Sequence, residues 1–140
     1  MRSMGLDLGS VTLGIALSDP TGFLASPVTT LRYESDDYAK AIELLLPVIA
    51  EKKPENIILG LPKHMNGDIG IKGELSIKFK EMLEEKVSIP VILWDERLTT
   101  LGMQKELISF DVSRSKRKKI IDQMAAVSIL QSYLDSQKRG

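Results

Sequence analysis

Residues 3–18, which read SMGLDLGSVTLGIALS, decide the fold. Apolar residues alternate with glycines and one aspartate in the first half, as expected of a β-strand with one face in a core. The Gly9-Ser10 pair signals a turn, and residues 11–18 read as a second strand. A further turn over 19–22 leads to a third strand over 25–31. Three short strands joined by tight turns predict an antiparallel meander at the start of the chain.

The rest of the chain alternates helices with short apolar strands. Helices are expected over residues 38–52, 71–86, 99–110 and 116–137, and strands over 56–61 and 90–94. Asp36 or Asp37 is the expected cap of the first helix, and Pro47 is expected to kink or restart it. Strands connected through helices are usually parallel. The prediction is therefore one α/β domain over residues 1–140, with a mixed five-stranded sheet (three antiparallel strands, then two parallel strands) flanked by helices.

The composition is that of an ordinary globular chain. Of 140 residues 43% are hydrophobic and 27% charged, and the formal net charge is zero, so attraction to nucleic acid must come from local charge. There is no cysteine, which excludes thiol catalysis and fits a reducing compartment. The first residues lack a secretory signal, and no apolar run approaches the ~18 residues of a membrane span. We therefore expect a cytoplasmic protein with no membrane partner.

Asp7 is the first of three acidic residues whose surroundings suit a metal ion. In the predicted strand it shares a face with Gly5 and Gly9, which leave space around the carboxylate. Burying an unpaired aspartate is costly, so the open face indicates room for a cation and a substrate. The alternative is an aspartate that only shapes the turn.

The second acidic position is the pair Asp95-Glu96, which follows an apolar strand at the carboxyl end, where α/β sheets collect ligands. Neighbouring residues of an extended chain point to opposite faces, so only one of them can face a site, and strand parity does not choose between them. Either residue could instead pair with Arg97 or with a surface lysine.

Asp122 is the third acidic residue and lies on the same helical stripe as Ala125 and Ala126. Small residues on this stripe would bring the helix close to the sheet; the alternative is that Asp122 only interacts with the helix N-terminus. Carboxylates gathered at one point repel each other unless a cation lies among them. With His64 as the single histidine and no cysteine, an oxygen-only site would suit Mg²⁺ or Mn²⁺.

A basic run immediately precedes Asp122 and consists of Arg114, Lys116, Arg117, Lys118 and Lys119. Next to a metal site these side chains would bind the phosphate backbone of a nucleic acid without making base-specific contacts. The alternative is that this run is only a solvent-exposed face of the helix with no binding role. Lys63 and Asn66, in the loop that follows another strand end, are further candidates for phosphate or sugar contacts.

Four segments carry a family resemblance: GLDLGSVTLGIALSD at 5–19, GLPKHMNG at 60–67, WDERLTT at 94–100 and IDQMAA at 121–126. In this order they resemble the YqgF family, bacterial proteins with an RNase H-like fold that are related to RuvC-type Holliday junction resolvases. The resemblance covers essentially the whole chain. Many members have a basic residue in the turn after the first strand, where this chain has Val11-Thr12, so a phosphate contact from that turn is in doubt.

The resemblance implies a nuclease that processes the 5′ end of the 16S ribosomal RNA precursor, as a monomer or homodimer, with the pre-rRNA or a ribosomal precursor particle as partner. It implies that Asp7, Glu96 and Asp122 are the catalytic residues and bind one or two Mg²⁺ or Mn²⁺ ions, which favours Glu96 over Asp95. Arg97 would contact phosphate or brace Glu96.

Three other functions remain open from the sequence. One is a junction resolvase that acts on branched DNA as a dimer. Another is a non-catalytic RNA-binding assembly factor that uses only the basic run. The third is an actin-like or sugar-kinase ATPase, whose phosphate hairpin resembles residues 7–14, although such proteins need two domains of this kind.

Overall fold

The computed structural model describes residues 2–64, 66–99 and 114–138, and for residues 114–123 it describes the backbone only. The elements follow in the order β1 (Ser3–Leu8), β2 (Thr12–Ser18), β3 (Ala25–Arg32), α1 (Tyr38–Lys52), β4 (Asn56–Leu61), α2 (Ile71–Glu84), β5 (Val91–Asp95), a 3₁₀ turn (Glu96–Leu98) and α3 (Arg114–Gln137). The helix predicted over residues 99–110 lies outside the described residues, apart from Thr99.

The strands form one mixed sheet in the order β3-β2-β1-β4-β5. β1 pairs antiparallel with β2, and β2 pairs antiparallel with β3. β4 lies parallel to β1 and to β5. The predicted mixed sheet is therefore confirmed, and β1 is its central strand.

One face of the sheet packs against α1 and α2. The apolar residues of the β1 alternation, Met4 and Leu6, are fully buried there. Asp37 caps α1 by accepting a hydrogen bond from the Lys40 amide at 3.1 Å. α1 continues through Pro47 as one helix instead of restarting, because apolar residues on both sides of the proline pack against the same core.

The other face of the sheet packs against α3. A Cβ placed on Gly5 would lie 2.7 Å from the Cβ of Leu130 and 3.0 Å from the carbonyl oxygen of Ala126. Helix and strand can approach this closely only because position 5 has no side chain, and Ala126 is itself fully buried. The close helix approach predicted from the alanine stripe is therefore found. Within the described residues, no helix has the length and apolar character needed to cross a membrane.

Candidate active site

Asp7 lies on the central strand with glycines on both neighbouring strands. In the register of β1 and β2 it is opposite Gly14. On the other side Leu6 is opposite Leu59, so the next residue of β4, Gly60, lies beside Asp7. By strand alternation Asp7 is on the same face as Gly5, which is the face covered by α3; its role in a site stays a prediction.

Glu96 is brought to the same place by the 3₁₀ turn that follows β5. A Cβ placed on Gly60 would lie 2.5 Å from Oε1 of Glu96, so this carboxylate rests directly on the glycine. Burial first, and the negative charge of Asp7 second, raise the pKa of Glu96 from its ordinary 4.5 to about 7. The two acidic groups therefore share one partly desolvated space.

Asp95 has a different partner. Its carboxylate accepts a hydrogen bond of 2.7 Å from Nη2 of Arg97 and one of 2.9 Å from the Arg97 amide, which caps the 3₁₀ turn. The Arg97 hydrogen bond lowers the pKa of Asp95. Nζ of Lys63 lies 3.9 Å away. Asp95 is therefore paired with cations, whereas Glu96 lies near Asp7, which is consistent with the prediction of Glu96 as the site residue.

Arg97 pairs with Asp95, an alternative that the sequence left open, while its predicted bracing of Glu96 stays a prediction. The physical reason is the tight turn, which places the guanidinium beside the acid two residues earlier. The predicted contact of Arg97 with phosphate stays a prediction.

Asp122 lies on α3, where the backbone is described and its side chain is outside the described part. α3 runs opposite to β1, because its later residue Gln131 accepts a hydrogen bond from the Ala25 amide at the far end of the sheet. Gly5 lies between positions 126 and 130 of the helix. Four helical residues rise about 6 Å and two strand residues span about 6.6 Å, so the turn of α3 over positions 122–126 is level with Asp7.

The basic run occupies the first turns of α3, beyond position 122. Its side chains, like that of Asp122, are outside the described part of the chain, so their contribution stays a prediction. The backbone direction of α3 carries these residues toward the carboxyl ends of β1 and β4, the end of the sheet that holds Asp7.

The loop between β4 and α2 carries the two other predicted contacts. Lys63 is partly exposed at the ion pair with Asp95. Asn66 forms the loop itself: Asn66 donates to the Asp68 carboxylate at 3.0 Å and accepts from the Asp68 amide at 3.0 Å. Both residues keep their predicted roles as hypotheses, with Asn66 already engaged in shaping the turn.

The donor chemistry of the site fits a hard divalent cation. Among the side chains that the structure describes, no group of three acidic, histidine or cysteine residues is close enough to hold a metal ion. Asp7 and Glu96 do supply carboxylate oxygens in one place, and the pKa of Glu96 is raised first by burial and then by the charge of Asp7. Oxygen ligands of this kind suit Mg²⁺ or Mn²⁺.

Two residues near the site were not identified from the sequence. Lys72, in the first turn of α2, is close enough for its charge to oppose the rise in the pKa of Glu96. Tyr33 donates its hydroxyl hydrogen to the Gly9 carbonyl and lies 2.9 Å from the Thr12 carbonyl, so it holds the turn after Asp7. A lone lysine at a helix start and a tyrosine after a strand carry no sequence signal for such roles.

The chain is similar over nearly its whole length to named proteins. A sequence model of the RuvX family, described as Holliday junction resolvase, matches residues 1–136. The Bacillus licheniformis protein named "Putative pre-16S rRNA nuclease" is 52% identical over 136 residues, which are 97% of this chain and 98% of that protein. The Bacillus subtilis protein of the same name is 50% identical over 97% of this chain and 99% of that protein.

Solved structures show the same fold. The structure of Thermus thermophilus RuvC in complex with a Holliday junction substrate has a TM-score of 0.67 and 11% identity, over 99% of this chain and 96% of that chain. The fowlpox virus Holliday junction resolvase has a TM-score of 0.56 and 14% identity, over 97% of this chain and 99% of that chain. The likeness is one of fold, and it confirms the predicted RNase H-like architecture.

Proposed function

Since the chain belongs to the RuvX family, the YqgF proteins of the sequence resemblance, we propose that it is a metal-dependent nuclease that hydrolyses phosphodiester bonds. Its proposed substrate is the 5′ end of the 16S ribosomal RNA precursor, in agreement with the names of its close relatives. That substrate would place its work in the cytoplasm, on the precursor RNA or a ribosomal precursor particle.

The observation that carries this proposal is the pair of carboxylates beside Gly60. Asp7 and Glu96 come from residues far apart in sequence and meet beside Gly60. Burial raises the pKa of Glu96 to about 7, and the negative charge of Asp7 acts in the same direction. A divalent cation bound between the two carboxylates would offset both effects, which supports a metal site at this position.

Each part of the chain has a defined task in the proposed reaction. Asp7 would hold the metal from the central strand, with Glu96 and Asp122 completing the set. One or two Mg²⁺ or Mn²⁺ ions held by these carboxylates would supply the Lewis-acid chemistry that phosphodiester hydrolysis needs. Asp95 and Arg97 fix the 3₁₀ turn and thereby the position of Glu96.

Local positive charge would hold the substrate, because the net charge of the chain is zero. The candidates are Lys63, Asn66, Arg97, Arg114, Lys116, Arg117, Lys118 and Lys119. Contacts of this kind to phosphate give affinity that falls with salt and is nearly independent of base sequence.

The test is cleavage of a pre-16S rRNA fragment in Mg²⁺ by the wild type and by Asp7→Asn. We expect the variant to lose at least about 100-fold in rate, since even residues that only support a metal ligand cost about 10–100-fold when changed. Glu81→Gln, an exposed acidic residue on α2, is the matched control and should cleave like the wild type. Undiminished cleavage by Asp7→Asn would refute the assignment.

The family description favours one second function, cleavage of four-way DNA junctions. The same carboxylates would act on branched DNA, and symmetric cleavage would require a dimer. A side-by-side assay with RNA and with a four-way junction, together with sedimentation, separates the two. If Asp7→Asn keeps both RNA binding and function in cells, the protein is a non-catalytic assembly factor instead.

A further inference from the structure

An open cleft of about 480 Å³ lies beside the candidate site, between the β4–α2 loop and the first turn of α2. Lys63 and His64 form its loop side, and Ile71 and Lys72 form its helix side. Its volume is within the ~300–1,000 Å³ of sites that hold one small ligand. This volume matches one unpaired nucleotide better than a base pair with its two backbones.

Two positive charges from different elements line this cleft. Lys63 is only loosely held, because its Nζ lies 3.9 Å from an Asp95 carboxylate that already has Arg97 as its closer partner at 2.7 Å. Lys72 is exposed. The ion pair of Lys63 joins the cleft to Asp95, the residue before Glu96, which makes the cleft and the candidate site adjacent. The first-turn amides of α2 add positive potential on the same side.

The cleft also offers surfaces for a base. The His64 imidazole lies against the backbone of Gly70, where a Cβ would be 2.5 Å from Nε2, so the ring forms part of the cleft wall. Ile71 is 78% exposed, the highest value among the exposed large hydrophobic residues that the structure describes. Unpaired bases are commonly bound by stacking on a histidine or other flat side chain.

We propose that this cleft binds one unpaired nucleotide of the substrate strand, with its phosphate between Lys63 and Lys72 and its base against His64 and Ile71. This deepens the proposed nuclease function and rests on it for the placement of the scissile phosphodiester at Asp7 and Glu96. The cleft would thus direct a single strand, and not a duplex, past the acidic pair.

His64 makes the test direct, because it is the only histidine in the chain. Its imidazole signals in a ¹H–¹³C NMR spectrum need no further assignment. The wild type is titrated with adenosine 5′-monophosphate, with inorganic phosphate and with adenosine, in EDTA so that no cleavage can occur. We expect a saturable shift of the His64 signals with the monophosphate, at a concentration at least about tenfold lower than with phosphate or adenosine alone.

The matched pair of variants is Lys72→Ala and Lys78→Ala, two exposed lysines of the same helix of which only the first lines the cleft. Loss of a charge-assisted contact should weaken binding of the monophosphate about tenfold in Lys72→Ala and leave Lys78→Ala like the wild type. Equal binding by both variants, no saturable shift in the wild type, or equal affinity for phosphate and the monophosphate would each overturn the inference.

This experiment and the cleavage assay fail independently. Absence of cleavage with intact nucleotide binding would reject the nuclease and keep the cleft as a binding site. Cleavage that depends on Asp7 without nucleotide binding at His64 would keep the nuclease and reject the cleft.

Discussion

Replacing Glu96 by glutamine should stabilise the metal-free protein, and more so at alkaline than at acidic pH. The carboxyl pKa of Glu96 is 4.5 in its ordinary state and about 7 in the folded chain. A raised folded pKa contributes stability that is fully present below about 4.5 and is lost as the pH rises through about 7. Glutamine has the same shape without this charge, so it avoids the loss.

The magnitude follows from the difference between those two pKa values. Each tenfold change in proton affinity is worth about 1.4 kcal/mol, which gives an upper limit of about 3 kcal/mol. Solvent reaches part of the Glu96 side chain, which weakens the effects of burial and of the Asp7 charge. We therefore expect a stability difference of about 1–2 kcal/mol.

The assay is urea unfolding of the wild type and Glu96→Gln in EDTA at pH 5 and at pH 8. The variant should gain about 1–2 kcal/mol over the wild type between the two conditions. Glu81→Gln, which is exposed, should show no such gain. An identical difference between Glu96→Gln and wild type at both pH values would refute the idea that Glu96 is ionised at a cost beside Asp7.

Two further substitutions test the supports of the site. Gly60→Ala would place a methyl group 2.5 Å from both Glu96 and Ile129, so we expect a loss of about 1–3 kcal/mol in urea unfolding and reduced cleavage. Gly70→Ala, whose methyl group meets only the rotatable His64 ring, should be milder; equal losses would contradict this packing. Tyr33→Phe removes the hydroxyl that holds the turn after Asp7 and should cost about 1 kcal/mol. Tyr38→Phe, whose hydroxyl bonds only the exposed Asp36 at 3.1 Å, is the control and should cost less.

The sheet could be predicted from the sequence because its signals are local. Alternation in residues 3–8 fixes which side chains of β1 enter the core, and the turn residues at 9–10 and 19–22 fix the antiparallel order. The restart that Pro47 could have caused does not occur, since packing on both sides of a proline can outweigh one missing hydrogen bond, and propensity alone does not report packing.

The site was only partly predictable, because its geometry depends on contacts between distant segments. The open setting of Asp7 could be inferred from its glycine neighbours. The choice of Glu96 over Asp95 depended on the family resemblance, because the deciding feature is the Arg97 amide captured by Asp95 in a 3₁₀ turn. From the sequence, Lys72 would be predicted to be an ordinary solvent-exposed lysine of a helix. Only the folded chain brings its charge near Glu96.

The strand order has a consequence for how activity would be lost on heating. Asp7 is on β1, the middle of the described sheet, whereas Glu96 follows β5 at its edge. Edge elements open locally at lower free energy than central strands. Fraying of β5 would carry one carboxylate away while the other stays in place, so thermal inactivation should precede global unfolding and should be reversible on cooling.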